Sequence, residues 1–202
     1  MRYAPSLLSV LIMIVCSCSL FAQYHNNIDK KFIEVYSAYS PNSVVLLGTT
    51  PDTETFSTYI GFGKLINTLE NGAEIYVTRG IIPFSEYVYP KRDNGNQTDI
   101  VNGYGVSPLG YQIILPKNSI ELYAGISSGI MIMNKTFPTE KGRRLNYSFD
   151  LTFGLKKAIQ TNTFLSLGYR FHHISNAQTG TQNPGIDSNF LFLSIKQFIH
   201  DD

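Results

Sequence analysis

Charged residues are scarce in this chain of 202 residues, cysteine occurs twice, and tryptophan does not occur at all. Only 15% of the residues are Asp, Glu, Lys or Arg, well below the roughly 25% of an ordinary soluble domain. The 43% of hydrophobic residues excludes a disordered chain, which would be poor in apolar side chains. A formal net charge of +1 gives no global electrostatic attraction to nucleic acid.

Long apolar runs are also missing, which excludes a protein built from several membrane-spanning helices. The one notable apolar run, residues 7–15, follows Arg2 and precedes small residues that end at Ala22. It is shorter than the about 20 residues that a spanning helix needs, and it has the length of a signal-peptide core. We expect residues 1–22 to be a signal peptide cleaved after Ala22. A lipoprotein signal that uses Cys18 is the alternative.

Cleavage after Ala22 would remove Arg2 and both cysteines, Cys16 and Cys18. The mature chain, residues 23–202, would then carry 15 basic and 15 acidic residues and could form no disulfide. Its 13 Tyr and 13 Phe favour β structure. An exported, cysteine-free and aromatic-rich β protein indicates the envelope of a Gram-negative bacterium.

Residues 145–156 alternate strictly between apolar and polar side chains, and residues 120–132 repeat the pattern. Because neighbouring side chains on a strand point to opposite faces, each run predicts a strand with one apolar and one polar face. A soluble sandwich would also alternate. However, these runs are about twice the usual strand length of about 5–6 residues. Such length is typical of a transmembrane barrel with a lipid-facing exterior and a polar interior.

The whole chain contains eight such runs, and an even number lets a barrel close with both termini on one side. They are residues 31–40, 54–66, 73–83, 100–115, 118–134, 145–159, 163–175 and 187–199. We therefore predict an all-β protein, an eight-stranded antiparallel transmembrane β-barrel in the outer membrane.

The connections between the runs alternate in length, as they do in barrels with short periplasmic turns and longer external loops. The second, fourth and sixth connections are short and comprise residues 67–72, 116–117 and 160–162. The longer, polar connections include residues 84–99, 135–144 and 176–186. The seventh connection, residues 176–186, is therefore expected outside the cell.

A polar pair ends the apolar face of the seventh run. His173 and Ser175 share the parity of Leu165 and Leu167, so they face outward, whereas Arg170 and His172 face the interior. A serine becomes a nucleophile when a base removes its proton, and histidine is suited to do so near neutral pH.

A carboxylate beside that histidine would orient the imidazole and stabilise its cation. Asp187 is the nearest candidate, because it opens the eighth run beside the end of the seventh and also faces outward. His173, Ser175 and Asp187 thus form a candidate triad at the outer rim. Polar side chains at strand ends also lie among lipid headgroups without any catalytic role, and the residues alone favour neither interpretation.

Residues 169–177 (YRFHHISNA) and 183–187 (NPGID) resemble the signature of the outer-membrane acyloxyacyl hydrolases, the lipid A 3-O-deacylases. Residues 101–110 are similar to that family as well. The resemblance implies an eight-stranded barrel with a Ser-His-acid triad at its outer surface. It assigns His173 as the base, Ser175 as the nucleophile and Asp187 as the acid, where the family pattern has glutamate, which is one methylene longer.

The loop after Ser175 contains amide groups suited to stabilise an oxyanion. The candidates are the side chains of Asn176 and Asn183 and the backbone N–H groups around Ala177. Asn183 also begins the sequence Asn-Pro-Gly, which is typical of a tight turn with no further function.

Basic clusters occur on two predicted external loops, at Lys91–Arg92 and at Arg143 and Arg144. Lipid A carries phosphates, and arginine pairs bidentately with phosphate. Phosphate binding by Arg143 and Arg144 is therefore a hypothesis, with ordinary solvated loop charges as the alternative.

The sequence thus predicts an outer-membrane serine esterase that hydrolyses a fatty-acyl ester of lipid A in lipopolysaccharide, and the resemblance implies the 3-O ester. No cofactor is expected, and no metal site, because the remaining histidines and carboxylates lack metal-ligand spacing. A non-enzymatic barrel, acting as an adhesin or a membrane-stabilising protein, explains the alternation equally well. An acyltransferase would use the same triad. The sequence leaves open whether the barrel forms a homodimer.

Overall fold

The structure, a computed structural model, describes residues 30–90, 97–116 and 119–199. The predicted signal peptide, with both cysteines, lies outside these ranges. Within them, no helix is long and apolar enough to cross a membrane.

Eight long strands and one short strand make up the described residues. They are β1 (Lys31–Ser40), β2 (Ser43–Val44), β3 (Glu54–Thr68), β4 (Glu74–Pro90), β5 (Thr98–Leu115), β6 (Glu121–Phe137), β7 (Arg143–Gln160), β8 (Thr163–Ser175) and β9 (Ile186–Ile199). Each long strand pairs antiparallel with the next long one, and β1 pairs with β9 from Lys31↔Ile199 to Tyr39↔Leu191. This last pairing closes the sheet, which confirms the predicted eight-stranded barrel. The seventh and eighth runs of the sequence are β8 and β9.

Side chains alternate between the two faces of the wall, as β9 illustrates. Leu191, Leu193 and Ile195 are 64%, 56% and 53% exposed, whereas Phe192 and Lys196 between and beyond them are buried. In a membrane, the exposed apolar row contacts lipid. Because β1 pairs with β9, the described strands present no open sheet edge to the hydrocarbon.

Ion pairs and aromatic rings fill the interior. Arg170 Nε lies 2.7 Å from Asp150 Oδ1, and Lys156 Nζ lies 2.7 Å from Glu121 Oε2. Lys156 also lies over the ring of Phe164, 4.1 Å from its centroid. A buried charge needs such partners, because desolvation without them is costly.

The predicted loop 84–99 is too long, because β4 continues to Pro90. A bulge shifts the β4–β5 register between Ile82 and Ser85, and the consecutive residues Pro83 and Phe84 are both exposed. Two successive outward side chains end the sequence alternation although the strand itself goes on. The loop 135–144 shortens similarly, because β6 extends to Phe137 and β7 starts at Arg143.

Candidate active site

His173 and Asp187 lie directly opposite each other on β8 and β9. The distance from His173 Nδ1 to Asp187 Oδ1 is 2.6 Å. The side chain of His173 is 16% exposed and that of Asp187 is fully buried. Both face outward, on the side of the wall that carries Leu191 and Leu193. The pair therefore lies on the lipid-facing side, at the end of β8 that leads into the seventh loop.

The second oxygen of Asp187 is held by a segment that is distant in sequence. The backbone N–H groups of Leu46, Leu47 and Gly48 donate to Asp187 Oδ2 over 2.9, 2.6 and 2.8 Å. These bonds favour the ionised carboxylate and fix its orientation. Oδ1 is left to accept the bond from the His173 Nδ1–H, so that Nε2 carries no proton when the imidazole is neutral.

Backbone pairing carries this segment to Asp187. The short strand β2 pairs with β9, with Val44 opposite Asp187, and the N–H of Thr49 donates to the carbonyl of Pro184 over 2.5 Å. Glycine is required at position 48, because a Cβ there would lie 2.6 Å from the carbonyl carbon of Gly185. The loop between β1 and β3 is thus packed against the strand that bears the acid.

Ser175 is the last residue of β8 and lies on the same face as His173, two positions further on. It is half-buried. Among the hydrogen bonds of residues 119–199, none joins Ser175 to His173. The two Cα atoms are two strand steps apart, a distance of about 7 Å.

Asn176, which is fully buried, holds the seventh loop together. Its Nδ2 donates to the carbonyl of Gln182 over 2.7 Å, and its backbone N–H donates to Asn183 Oδ1 over 2.8 Å. Its carbonyl accepts from the N–H and the hydroxyl of Thr179. The Nδ2 group of Asn176 and the Oδ1 of Asn183 are therefore engaged in loop structure.

Ala177 and Gln178 adopt left-handed backbone conformations, with φ of 51° and 65°. Residues other than glycine adopt this conformation rarely and at some cost in free energy. Within the ranges that the structure describes, the Ala177 N–H makes no hydrogen bond. It is the free backbone donor that follows the serine most closely.

The loop arginines are exposed and contact backbone carbonyls. Arg143 Nε donates to Thr179 O over 3.0 Å, which links the fifth and seventh loops, and Arg144 Nε donates to Met133 O over 2.9 Å. The other predicted basic cluster, Lys91–Arg92, lies outside the described residues.

A second histidine–aspartate pair lies inside the barrel, back to back with the first. His172 Nδ1 is 2.6 Å from Asp150 Oδ1, and His172 Nε2 is 3.0 Å from the hydroxyl of Tyr87. Arg170 completes the cluster through Asp150. His172 and Asp150 lie on the interior-facing rows of β8 and β7 and are each 2% exposed, so this pair does not reach lipid. In the part of the chain described, no group of three or more His, Cys, Asp or Glu could hold a metal ion.

Sequence reasoning missed the contribution of residues 46–48. The available signal was the run of residues 44–47, four consecutive apolar residues between the first and second predicted strands. That run has no alternation, so it belongs to none of the eight predicted strands. Its position beside Asp187 depends on a pairing between distant parts of the chain.

A family model described as lipid A 3-O-deacylase (PagL) matches residues 78–196, more than half of the chain. Comparison with curated protein sequences gave no match. Among solved structures, the outer membrane enzyme PagL is similar, with a TM-score of 0.57 and 18% identity over 80% of this chain and 97% of that one. Neisserial surface protein A has a TM-score of 0.53 and 14% identity over 83% of this chain and 96% of its own.

A third similar structure is the outer membrane protein OprG of Pseudomonas aeruginosa, with a TM-score of 0.51 and 8% identity over 86% of this chain and 97% of that one. At these identities the structural likenesses establish the barrel fold and no more. The fold and the family together locate the chain in the outer membrane of a Gram-negative bacterium. From the family match over residues 78–196, the chain belongs to the lipid A 3-O-deacylase (PagL) family.

Proposed function

We propose that this chain hydrolyses the 3-O-acyl ester of lipid A, with Ser175 as nucleophile, His173 as base and Asp187 as acid. The observation that carries the proposal is the 2.6 Å contact between His173 Nδ1 and Asp187 Oδ1 on the lipid-facing side of the barrel. Acyl transfer to serine requires a base that is oriented by a carboxylate and can reach the serine hydroxyl. Asp187 orients His173 here, and Ser175 lies two strand positions further on the same face.

Asp187 is assigned the task of holding His173 in the reactive tautomer. Its Oδ1 accepts the Nδ1–H, so the lone pair of Nε2 is available as the base. When Nε2 takes the proton of Ser175, the imidazolium that forms lies against an ionised carboxylate. That carboxylate retains its three bonds from Leu46, Leu47 and Gly48 throughout. The positive charge is therefore stabilised where it develops.

Ser175 Oγ attacks the ester carbonyl carbon while its proton passes to His173 Nε2. The tetrahedral intermediate collapses, the bond between the acyl carbon and the sugar's 3-oxygen breaks, and the same proton passes to that departing oxygen, which becomes the free 3-hydroxyl. Water then attacks the acyl-serine with His173 as base, and the fatty acid leaves as Ser175 regains its proton. The sequence of steps needs no cofactor, since only protons and an acyl group move.

The Ala177 N–H is assigned as the backbone donor to the oxyanion. It lies two residues after Ser175, and its left-handed conformation is held by the neighbouring loop bonds of Asn176. Asn176 and Asn183 then act as positioning residues, because their hydrogen bonds shape the loop. Donors that are fixed before the reaction stabilise the developing charge without reorganisation.

The outward placement of the pair suits a substrate that never leaves the membrane. Lipid A presents its acyl esters near the headgroup level of the outer leaflet, and His173 lies at the outer rim, facing lipid. Arg143 and Arg144 are exposed on the external side, where they would reach phosphate groups. One chain supplies every assigned group, so a homodimer is not part of the proposal.

The test is mass spectrometry of lipid A from a Gram-negative host that produces the wild type, Ser175→Ala or His173→Ala. We expect the wild type alone to remove one hydroxyacyl group, at the 3 position. Lipid A that stays intact with the folded wild type would reject the proposal and favour a non-enzymatic barrel. Loss of the same acyl group with Ser175→Ala would reject Ser175 as the nucleophile. Transfer of the released acyl group to a second lipid would identify an acyltransferase.

A further inference from the structure

Four consecutive apolar side chains are exposed in the first external loop, in the segment 44–48 that holds Asp187. Val44, Val45, Leu46 and Leu47 are 43%, 62%, 71% and 51% exposed. Residues 44–48 are called the rim segment below. An exposed apolar patch is unfavourable in water and marks a surface that contacts a lipid or another apolar partner.

The rim segment lies on the outward side of the barrel wall. Asp187 has the same strand parity as Leu191 and Leu193, which are 64% and 56% exposed on the lipid-facing row. The amides of Leu46 and Leu47 reach Asp187 on that face. The rim segment therefore continues the lipid-facing surface of β9 up to the outer rim.

Backbone and side chains of the rim segment have separate tasks. The N–H groups of residues 46–48 are bonded to Asp187 and contribute to the geometry of the proposed acid. The side chains of Val45, Leu46 and Leu47 take no part in those bonds and are more than half exposed. An apolar surface is thus fixed next to Asp187, which in turn contacts His173.

We infer that Val45, Leu46 and Leu47 bind the acyl chain of the ester substrate next to the carbonyl that Ser175 attacks. The inference rests on the proposed function and extends it, because it names the surface that recognises the hydrocarbon part of the substrate. Continuity with the lipid-facing row of β9 favours an acyl chain over a protein as the occupant. Contact with methylene groups close to the ester would make turnover depend on chain length.

The kinetic test compares Leu46→Ser with Leu193→Ser, which removes an equally apolar side chain from the lipid-facing row away from the rim. Each variant is assayed on lipid A in detergent micelles and on a soluble ester with a short acyl chain. Both substitutions keep the backbone N–H groups. We expect Leu46→Ser to lower the ratio of kcat/KM for the long-chain over the short-chain ester by about tenfold, through KM. Leu193→Ser should leave that ratio as in the wild type.

Equal losses on both esters would overturn the inference, because the segment would then only position Asp187. An unchanged ratio for Leu46→Ser, Leu47→Ser and Val45→Ser would overturn it as well. A wild type that is inactive on both esters would refute the proposed function instead, and the following measurement would then decide whether the rim segment contacts lipid.

Because the chain contains no tryptophan, Leu46→Trp introduces a single indole fluorophore. The variant is reconstituted in vesicles with lipid A whose acyl chains carry bromine near the ester. Contact predicts blue-shifted emission and quenching by the brominated lipid A, with weaker quenching when bromine is on bulk phospholipid. Emission typical of water, without quenching, would overturn the inference. Equal quenching by both lipids would assign the segment to bulk membrane and would overturn it too.

Discussion

The backbone nitrogen of Gly48 lies 2.8 Å from Asp187 Oδ2, although 139 positions separate the two residues. Together with Leu46 and Leu47, Gly48 binds one oxygen of the carboxylate and leaves the other to His173. An aspartate is one methylene shorter than the glutamate of the family pattern that the sequence resembles. Here the first loop closes over this shorter acid, so its orientation depends on backbone contacts from outside β8 and β9.

Asp187→Asn should abolish most of the activity while preserving the barrel. An asparagine can keep its oxygen on the three amides of residues 46–48, and its NH2 group would then face His173 Nδ1. That contact moves the imidazole proton to Nε2 and removes the base. We expect kcat to fall by about 10³–10⁴-fold. Release of fatty acid from lipid A by the purified protein is the measurement.

Asp187→Glu should have a kcat between those of the wild type and Asp187→Asn, with a loss of about 10- to 100-fold. The longer side chain would displace the carboxylate from its position beside His173. Asp99→Asn is the matched control, since Asp99 pairs with Lys135 on the external part of β5, away from His173. Full activity of Asp187→Asn would contradict the assigned acid.

Gly48→Ala tests the backbone contact of the rim segment directly. The new Cβ would lie 2.6 Å from the carbonyl carbon of Gly185 and 2.8 Å from the nitrogen of Ile186, so the segment must shift. We expect a loss of activity of about 10- to 100-fold with little change in barrel stability. Activity and thermal unfolding, followed by the electrophoretic shift of the folded barrel, are measured in parallel.

Gly72→Ala is the control for the glycine substitution. It strains a left-handed residue, with φ of 83°, in the turn between β3 and β4, and the nearest contact of its Cβ would be 3.8 Å away. This variant should be slightly less stable and fully active. Equal activity of Gly48→Ala and Gly72→Ala would show that the amides of the rim segment are dispensable.

The alternation of side chains predicted most of the barrel, because a period of two residues is a local property of a strand. The bounds of β1 and β8 match the predicted runs. Alternation fails where the local geometry changes, and the bulge at Pro83 and Phe84 hid the outer half of β4 in this way. The same parity predicted that the side chains of His173 and Asp187 face outward.

Contacts between distant segments were beyond the reach of this reasoning. The rim segment meets Asp187 through a pairing of β2 with β9, and no local pattern indicates that register. The contacts of Asn176 were equally hidden, because its side-chain NH2 group can donate to an oxyanion or to a loop carbonyl. Only the position of the Gln182 carbonyl, 2.7 Å from Nδ2, distinguishes the two.

Asn176→Ala should lower kcat by loosening the loop that carries the Ala177 N–H. The substitution removes the bond to Gln182 O, and this part-buried carbonyl is left without that donor. We expect a fall in kcat of about 10- to 100-fold with a smaller change in KM, and faster proteolysis between residues 176 and 185.

Asn71→Ala serves as its matched control. Asn71 also bonds to the backbone of its own turn, where its Oδ1 accepts from the Ala73 N–H over 3.1 Å, but it lies at the opposite end of the barrel. Its loss should leave both kcat and loop proteolysis unaffected. A kcat for Asn176→Ala equal to that of the wild type would rule out a positioning role.

Asp150→Asn separates barrel stability from the proposed chemistry. Asp150 is the buried partner of Arg170 and His172, and its side chain is 2% exposed. Without the negative charge, Arg170 remains buried and unpaired, so we expect a loss of about 3–5 kcal/mol in the free energy of unfolding. Asp99→Asn, which breaks a pair at 41% and 31% exposure, should cost less than about 1 kcal/mol. Urea unfolding in lipid vesicles measures both free energies.

Because Asp150 faces the interior and His173 faces lipid, the folded fraction of Asp150→Asn should retain its turnover of lipid A. A loss of turnover without a loss of stability would instead couple the interior cluster to the rim.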